Sequence, residues 1–334
     1  MFPFHLMGGK DIRAVVEQSR PELVDRVRET YLAHHRGETV NPNSYFLRFP
    51  EKPNARIIAL PAFLRGDPGV AGIKWIASFP DNITRNIPRA SAVLVLNDFA
   101  TGYPFACLEA AQISAARTAA SAALAAERIH GSRTAARVAV IGAGIIARNI
   151  LEFLASLRWS IGRVTVHDTV AGYARRYADH TESLGYPASV ADDLTDAVTG
   201  ADIVLLATTA TEPYLLDPGT FVAGQTVLNI SLRDLGPDVI AAAHNIVDDV
   251  DHCLTAGTSA HLAEQKFGHR DFIDATLAQL LLDEVALGRD KPHVFSPFGL
   301  GVLDLAVGLE IFTAGRGSGR VTAVPEFFAE VERW

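Results

Sequence analysis

The sequence predicts an α/β protein in which a doubly wound parallel sheet is inserted into a second, discontinuous α+β domain. Three observations support this prediction. A glycine-rich fingerprint follows an apolar run at residues 137–150, RVAVIGAGIIARNI, in the middle of the chain. From there to about residue 290, apolar runs alternate with helical segments, which is the pattern of a parallel sheet covered by helices. More than a hundred residues precede the fingerprint and need a domain of their own.

Length and composition are those of an ordinary folded protein. The 334 residues exceed the size at which one core usually keeps growing, so two domains are expected. The net charge of −8 and the lack of a basic run argue against a nucleic-acid surface. Cys107 and Cys253 are the only cysteines and lie far apart, which indicates a reducing compartment. Without a signal peptide or an apolar run of about 18 residues, we expect a soluble cytoplasmic protein with no membrane partner.

The segment before the fingerprint is expected to mix helices and strands. Residues 12–36 show one apolar helical face, with Pro21 suited to a first turn and Gly37 suited to a helix end. Apolar runs at 55–60 and 92–96 are bounded by Pro, Gly and Asn and predict strands. Residues 110–129 are alanine-rich without Gly or Pro and predict a long helix, with a hinge at 130–132.

Five apolar runs predict the strands of the inserted sheet, at 138–141, 164–167, 203–207, 227–230 and 246–247. After residue 290 a glycine-rich loop precedes another apolar helix. We therefore predict that the inserted domain spans 131–292. Residues 1–130 and 293–334 then form the first domain and its C-terminal return.

The fingerprint itself predicts a dinucleotide site of the Rossmann type. Its first glycine permits a tight turn, its second lets a pyrophosphate approach the backbone, and Ala147 allows the strand and helix to pack closely. The N-terminus of the following helix offers free N–H groups and partial positive charge to the phosphates. The expected contact residues are Gly142, Ala143, Gly144, Ile145 and Ile146.

The choice between NAD and NADP depends on the residue that ends the next strand. Asp168 holds that position, where a carboxylate accepts hydrogen bonds from the ribose 2′-hydroxyl and repels a 2′-phosphate. The sequence therefore favours NAD as the cofactor. Arg175 and Arg176 follow nearby and leave NADP as an alternative cofactor.

Three cations upstream of the fingerprint lie among apolar or small residues. They are Arg56, Lys74 and Arg117. A charge in such surroundings is costly unless it meets an opposite charge, so an anionic ligand is a natural partner. Arginine forks suit a carboxylate, and a desolvated lysine near other cations has a lowered pKa that suits acid–base work. Taken alone, each of the three is also consistent with a side chain whose charged end reaches water at the end of a strand.

Several longer strings carry a resemblance to a known family. GIKWIASFP, PRASAVLVLND, SAARTAAS, VAVIGAGIIA and GLGVLDLA resemble the ornithine cyclodeaminase and mu-crystallin family over nearly the whole chain. NPNSYFLRFP, ISLRDL and DDVDHCLTAGTSAHLAEQ are most similar to its SbnB-type branch, which makes 2,3-diaminopropionate for siderophores and related natural products. The resemblance implies a homodimer in which a discontinuous substrate and dimerisation domain faces a Rossmann domain across a cleft.

The activity that the resemblance implies is an NAD-dependent amino-acid dehydrogenase reaction. Its substrate is the tricarboxylate N-(1-amino-1-carboxy-2-ethyl)-L-glutamate, which is cleaved oxidatively to 2-oxoglutarate and L-2,3-diaminopropionate. Two alternatives remain open. One is an ornithine cyclodeaminase, which converts ornithine to proline and ammonia. The other is a dinucleotide-dependent binding protein similar to mu-crystallin.

The resemblance also assigns roles to individual residues. Arg56, Lys74 and Arg117 match cations that face the substrate, Asp234 matches the carboxylate that handles the substrate amine, and Asp304 matches an acid of the closing segment. Lys74 and Asp234 are the expected catalytic pair, and which of them is the base stays open. Beyond the fingerprint, the residues expected to contact the cofactor are Ser91, Thr118, Thr208 and Ser231.

Two more arginines are candidates for the substrate carboxylates. Arg233 stands where cyclodeaminases carry a glycine-rich segment, and an added cation suits a substrate with three carboxylates. Arg48 is the other candidate, and both residues fit a surface ion pair equally well. We expect no metal, because His261 and His269 lack a third ligand at suitable spacing. The acidic run at 248–251 is interpreted as a cluster of solvated acids.

Overall fold

The structure, a computed structural model, describes residues 2–67 and 69–333. Within these residues the strands are β1 (Phe4–Met7), β2 (Thr39–Val40), β3 (Tyr45–Phe49), β4 (Lys52–Leu64), β5 (Val70–Ser78), β6 (Ala90–Asp98), β7 (Pro104–Glu109), β8 (Thr134–Ile141), β9 (Ser160–His167), β10 (Ala188–Val190), β11 (Ile203–Leu206), β12 (Thr226–Asn229), β13 (His244–Val247), β14 (Ile273–Thr276), β15 (His293–Ser296) and β16 (Thr322–Val324).

The α-helices of the same residues are α1 (Gly9–Gln18), α2 (Arg20–His35), α3 (Ala110–His130), α4 (Ile145–Ser156), α5 (Ala171–Ser183), α6 (Leu194–Val198), α7 (Pro237–Ala241), α8 (Val250–Cys253), α9 (Ser259–Phe267), α10 (Leu277–Leu281) and α11 (Gly301–Gly317). Short 3-10 helices cover Pro80–Arg85 and Pro218–Thr220. No helix in the described residues has the length and apolar character that a membrane crossing requires.

The chain divides into two compact units, and unit 1 is built from both chain ends. Unit 1 comprises Met1–Arg117 and Leu300–Trp334, and unit 2 comprises Thr118–Gly299. The chain passes from unit 1 to unit 2 after Arg117 and back after Gly299. The sequence predicts these two crossings at 130/131 and 292/293. The first crossing lies inside the uninterrupted helix α3, so no loop signals it in the sequence. The second lies after β15, because that strand pairs with β12 and β13 and therefore belongs to unit 2.

Unit 1 contains an eight-stranded sheet in the order β16-β1-β7-β6-β5-β4-β2, with β3 also paired to β4. Apart from the parallel pair of β1 and β7, its strands run antiparallel to their neighbours. The strands predicted at 55–60 and 92–96 lie within β4 and β6 and are confirmed. Both are longer than their apolar runs, because pairing with β5 extends them at each end.

Helix α11 supplies much of the core of unit 1. It packs against α1, α2 and the strands β4, β5 and β6. At Gly308 an added Cβ would lie 2.2 Å from Leu94 Cδ2, so only glycine lets this helix approach the sheet so closely. The opposite face of the sheet carries Trp75 and Val93, which are each 41% exposed. One face is thus a packed core, and the other presents large apolar side chains.

The predicted helix at 12–36 is two helices in the structure. Helix α1 ends at Gln18, Ser19 follows it, and α2 begins at Arg20. Pro21 lies in the first turn of α2, where its missing N–H has no cost. In one continuous helix the same proline would remove a backbone hydrogen bond and clash with the preceding turn. The break therefore follows from the proline, which the sequence predicts in a first turn although the predicted range of 12–36 begins before it.

Unit 2 is a doubly wound α/β fold. Its eight strands are all parallel and lie in the order β10-β9-β8-β11-β12-β15-β13-β14. The strand order reverses between β8 and β11, and ligands of open parallel sheets collect at such a point. The predicted fold class is confirmed, and the five predicted strands lie within or overlap β8, β9, β11, β12 and β13. The added strands β10, β14 and β15 have shorter or less apolar sequences.

Candidate active site

Strand β5 carries Lys74 into the packed side of the unit 1 sheet. Lys74 pairs in register with Leu60 and Leu94, whose side chains belong to the core. The side chain of Lys74 is only 2% exposed. Its Nζ donates to Asp304 Oδ2 at 2.6 Å and to Ser114 Oγ at 3.3 Å. The ammonium is therefore held by two fixed acceptors within the core.

Asp304 joins Lys74 to a second cation. It lies in the first turn of α11 and is fully buried, with its side chain 0% exposed. Its Oδ1 accepts from Arg117 Nε at 3.3 Å, and Arg117 is itself only 12% exposed. One carboxylate thus faces two cations, which leaves an excess positive charge when all three groups are ionised. Such a cluster favours an anionic ligand, because a buried charge is costly without a partner.

The surroundings of Lys74 adjust its proton affinity. The pKa of Lys74 is lowered to about 8, mainly by burial and also by the positive charge of Arg117. The carboxylate of Asp304 opposes this change, because it stabilises the ammonium by charge and by a hydrogen bond. Near neutral pH the amine therefore exists in both protonation states, which suits a group that accepts a proton during a reaction.

Other cations share the face of the sheet that carries Lys74. Arg48 pairs with Arg56, and Arg56 pairs with Ser78 on the next strand. Ser78 lies four residues after Lys74 on β5, so both side chains project from the same face. Arg48 is exposed, and its guanidinium carbon lies 5.2 Å from the centre of the Phe46 ring. The structure thus aligns three of the predicted cations on one face and adds Arg117 through Asp304.

Asp234 occupies a buried position in unit 2, at the carboxyl end of the sheet. It is 0% exposed and follows β12 after a short loop. Its Oδ1 accepts from Thr208 Oγ1 at 2.7 Å, and its Oδ2 accepts from the Tyr214 hydroxyl at 3.0 Å. Ser231 Oγ in turn accepts from the Thr208 backbone N–H at 2.7 Å. The predicted residues Thr208, Ser231 and Asp234 therefore form one hydrogen-bonded group.

Burial and hydrogen bonding act in opposite directions on Asp234. Burial raises the pKa of Asp234, while the hydrogen bonds from Thr208, Ser231 and Tyr214 lower it. The pKa of Tyr214 is also raised, by burial and by the negative charge of Asp234, so the phenol stays protonated and can donate. Tyr214 is not among the residues predicted from the sequence. Its only signal is its position in TTATEPYLLD, the loop that directly follows β11.

The fingerprint adopts the turn that a dinucleotide site requires. Gly142 has a φ of +92°, and an added Cβ there would lie 2.7 Å from the Ala207 carbonyl oxygen. At Gly144 an added Cβ would meet nothing within 4 Å, so open space lies next to the backbone. Gly144 is the N-cap of α4 and provides no side-chain acceptor for the first N–H groups of that helix. These free donors fit the phosphates of a dinucleotide.

Asp168 lies beside this turn, after β9. Its Oδ2 accepts from the Ala143 backbone N–H at 2.8 Å, and its Oδ1 accepts from the Val170 backbone N–H at 2.8 Å. The carboxylate therefore fixes the glycine-rich turn and has lone pairs left for a further donor. This position is the one from which a carboxylate contacts an adenosine ribose in this fold.

Arg233 and Ser91 are two further residues that the sequence predicts as ligand contacts. Arg233 donates from Nη1 to the Thr211 carbonyl at 3.3 Å and from Nη2 to the Ala256 carbonyl at 2.9 Å. It therefore ties together two backbone segments of unit 2. Ser91 pairs with Ala77 and projects from the face of the sheet opposite to Lys74. Thr118, the remaining predicted cofactor contact, follows Arg117 in α3 and is half-buried.

The interpretation of residues 248–251 as solvated acids needs a correction at one position. Asp248 is only 2% exposed. Its carboxylate accepts from the backbone N–H groups of Asp249, Phe298 and Gly299, at 3.0, 3.0 and 2.6 Å. Asp248 therefore fixes the segment that follows β15. No group of three or more potential metal-ligating side chains occurs among residues 2–67 and 69–333.

A family assignment follows from comparison with known proteins. The model of the ornithine cyclodeaminase/mu-crystallin family matches residues 10–311. The chain belongs to this family. One relative in the family is the N-((2S)-2-amino-2-carboxyethyl)-L-glutamate dehydrogenase of Staphylococcus aureus, which is 30% identical over 300 residues and covers 85% of this chain and 87% of its own.

Solved structures of the family have the same fold. Delta(1)-pyrroline-2-carboxylate reductase of Thermococcus litoralis, in complex with NADH and L-proline, has a TM-score of 0.89 at 22% identity, with 96% of this chain and 100% of the other covered. An archaeal alanine dehydrogenase dimer with bound NAD has a TM-score of 0.87 at 23% identity, with 98% and 100% covered. The predicted family and fold class are confirmed. The expectation of an enzyme is confirmed too, since the relatives are named dehydrogenases and reductases.

Proposed function

We propose that this protein oxidises N-(1-amino-1-carboxy-2-ethyl)-L-glutamate with NAD and releases 2-oxoglutarate and L-2,3-diaminopropionate. The observation that carries the proposal is the buried group of Lys74, Asp304 and Arg117, which has one more cation than anions. This group suits an amino-acid carboxylate bound beside a base. The 30% identity to the aminocarboxyethyl-glutamate dehydrogenase of Staphylococcus aureus favours this substrate over the other amino acids that the family's members are named for.

The residues of unit 1 bind and orient the substrate in this proposal. Arg117 and Arg56 hold the α-carboxylate of the glutamate portion, since guanidinium groups form paired hydrogen bonds with carboxylates. Fixing the carboxylate also fixes the Cα–N bond that must react, and such orientation is a large part of the rate enhancement in two-reactant sites. Asp304 keeps Lys74 and Arg117 in place through its two oxygens.

The turn at 142–147 fits NAD, which when bound would supply the acceptor for a hydride from the glutamate Cα. The open space at Gly144 and the free N–H groups of α4 would hold its pyrophosphate, and Asp168 would accept hydrogen bonds from its ribose. The preference for NAD over NADP belongs to the proposal, and its physical basis is the negative charge of Asp168 near the 2′ position.

We assign the base to Lys74. The substrate amine is an ammonium at neutral pH and has to lose a proton before its Cα can be oxidised to the imine level. With a pKa of about 8, about a tenth of Lys74 is neutral at pH 7 and can accept that proton at Nζ. Asp234 has both oxygens engaged by hydroxyl donors, which suits it to orient the water that attacks the imine carbon. Addition of water and loss of the amine give the keto acid and diaminopropionate.

The protein is a homodimer in this proposal. The outward face of the unit 1 sheet carries Leu6, Leu47, Trp75 and Val93, each between 41% and 47% exposed. A contiguous apolar face of this kind marks an interaction surface in a soluble protein. A second copy of the chain is the proposed occupant, since an archaeal alanine dehydrogenase of the same fold is described as a dimer.

The deciding experiment incubates the purified protein with NAD and N-(1-amino-1-carboxy-2-ethyl)-L-glutamate. NADH absorbance and the amino-acid products are followed together. The proposal predicts one NADH, one 2-oxoglutarate and one diaminopropionate for each substrate consumed. A cyclodeaminase would convert ornithine to proline without accumulating NADH. A binding protein similar to mu-crystallin would bind dinucleotide and turn over neither compound.

A further inference from the structure

Arg89 is a half-buried cation that the mechanism above does not use. It lies directly before β6, in unit 1. Its Nη1 donates to Ser78 Oγ at 2.9 Å, and Ser78 is buried, with 6% of its surface exposed. Within residues 2–67 and 69–333, no carboxylate lies within ion-pair distance of the Arg89 guanidinium.

An unpaired guanidinium in this position is costly. Burial lowers the pKa of Arg89, which reflects a charged form that has lost part of its hydration. Lys74 and Arg117 share the carboxylate of Asp304, which offsets part of their positive charge. Ser78 offers Arg89 only a neutral hydroxyl. An anionic ligand would supply the missing negative charge, and arginine forks bind carboxylates in two parallel hydrogen bonds.

The sheet places this cation at a defined distance from Lys74. Ser78 and Lys74 lie on the same strand and the same face, four residues apart, which corresponds to roughly 13 Å between their Cα atoms. Arg56 pairs with Ser78 and lies in the same row. A ligand with one carboxylate at Arg117, beside Lys74, and a second carboxylate several bonds away can therefore reach both positions along β5.

We propose that Arg89, positioned by Ser78, forms a second carboxylate subsite that selects dicarboxylic amino and keto acids. In the reaction proposed above, it binds the γ-carboxylate of the glutamate portion. This inference rests on the proposed function in placing the reacting α-carboxylate at Arg117 and Arg56, beside the base Lys74. It also gives the distal carboxylate a partner in unit 1, whereas Arg233 donates from Nη1 and Nη2 to the backbone carbonyls of Thr211 and Ala256.

Keto-acid binding to the NADH-loaded enzyme tests the subsite without catalysis. Titration calorimetry at saturating NADH compares 2-oxoglutarate with 2-oxobutyrate, which lacks the γ-carboxylate. The wild-type protein should bind the dicarboxylate more tightly. Arg89→Met should weaken 2-oxoglutarate about 10- to 100-fold and leave 2-oxobutyrate nearly unchanged, because only the distal contact is lost. Arg85→Met, which removes an exposed arginine of the neighbouring 3-10 helix, is the matched control and should change neither affinity.

Two further variants keep the test decisive if Arg89→Met folds poorly. Arg89→Lys keeps the charge and loses the fork, and Ser78→Ala keeps the arginine and loses its positioning hydroxyl. Both should reduce the preference for 2-oxoglutarate partially. Equal affinity of the wild-type protein for the two keto acids, or an unchanged preference in all three variants, would overturn the subsite. If the preference depends on Arg89 but aminocarboxyethyl-glutamate is not oxidised, the subsite stands and the proposed reaction is wrong.

Discussion

The ammonium of Lys74 and the carboxylate of Asp304 lie 2.6 Å apart, although 230 positions separate them in the chain. Both side chains are almost completely buried. The contact ties the central strand β5 to the first turn of α11 and leaves one oxygen of Asp304 for Arg117. A buried ion pair of this kind adds little net stability, yet removing one partner leaves an uncompensated charge in the core.

Asp304→Asn should therefore weaken both the fold and the catalytic base. We expect the free energy of unfolding to fall by about 3–5 kcal/mol, because Lys74 and Arg117 lose their shared anion. The pKa of Lys74 should fall below about 8, since Asp304 raises it in the wild-type protein. Thermal melts and the pH dependence of turnover measure the two effects. Glu310→Gln, at a half-buried residue of the same helix that pairs with Arg26, is the control. An unchanged melting temperature would contradict this account of the pair.

The pH dependence of the wild-type enzyme should report Lys74. A base has to be neutral, so kcat/KM should rise with pH and level off above a pKa of about 8. Below that value it should fall about tenfold for each pH unit, because the fraction of neutral amine falls by that factor. Lys74→Met should remove most of the turnover and leave NAD binding intact. A flat profile between pH 6 and 9, or wild-type turnover in the variant, would exclude Lys74 as the base.

Asp234→Asn should reduce turnover about 100-fold or more, and Tyr214→Phe should reduce it about tenfold. The phenol of Tyr214 donates to Asp234 and lowers the pKa of that carboxyl, so its loss should raise the pKa of Asp234. Protonation of Asp234 adds to the decline of kcat/KM at acid pH. In Tyr214→Phe this additional decline should begin at a higher pH than in the wild-type enzyme. Tyr186→Phe is the control, because its hydroxyl donates instead to the Trp159 carbonyl. An acid limb that does not move would show that Tyr214 only packs beside the site.

Asp168→Ala should narrow the preference for NAD over NADP. The wild-type protein should bind NAD more tightly, and the variant loses ribose hydrogen bonds and charge repulsion worth about 1–3 kcal/mol each. NAD affinity should fall, because the carboxylate also fixes the Ala143 and Val170 backbone N–H groups. Asp168→Asn retains an acceptor and removes the charge, and so separates the two effects. Equal dissociation constants for NAD and NADP in the wild-type protein would contradict the assignment.

Trp75→Asp should convert the proposed homodimer to monomers. Trp75 lies in the middle of the apolar face of the unit 1 sheet, and a buried carboxylate without a partner is costly there. Sedimentation velocity measures the association state, and circular dichroism checks the fold. Val222→Asp places the same charge on an exposed apolar residue of unit 2 and should leave the dimer intact. A wild-type protein that sediments as a monomer would disprove this interface.

Local sequence patterns predicted the parts of the molecule that depend on neighbouring residues. The turn at Gly142, the apolar strands of unit 2 and the helix α3 all follow from residues within a short window. Contacts between distant segments left no such signal. The ion pair of Lys74 with Asp304, the insertion of β15 between β12 and β13, and the hydrogen bond of Tyr214 to Asp234 join residues 20 to 230 positions apart or depend on strand order.

In the candidate site too, residues were predicted from the sequence, whereas their contacts with distant segments were not. Lys74 and Arg117 are predicted from their residue types and their surroundings in the sequence, and Asp234 is predicted from the family resemblance. The structure places all three in buried or half-buried, hydrogen-bonded positions. Arg233 is predicted from its charge and from its position where cyclodeaminases carry a glycine-rich segment. A sequence carries no sign of which backbone carbonyls a guanidinium will meet, and those of Thr211 and Ala256 belong to two separate loops.

The split of unit 1 between the two chain ends sets an order for synthesis on the ribosome. Unit 2 is one continuous stretch, so it can complete its core as soon as residue 299 has emerged. The sheet of unit 1 is synthesised first but lacks α11, which covers β4, β5 and β6, until residues 301–317 have been made. During that interval Lys74 lacks Asp304 and the apolar side chains around it are uncovered. Truncation before residue 301 should therefore yield a nascent chain that depends on chaperones, with a folded unit 2 attached to an unfinished unit 1.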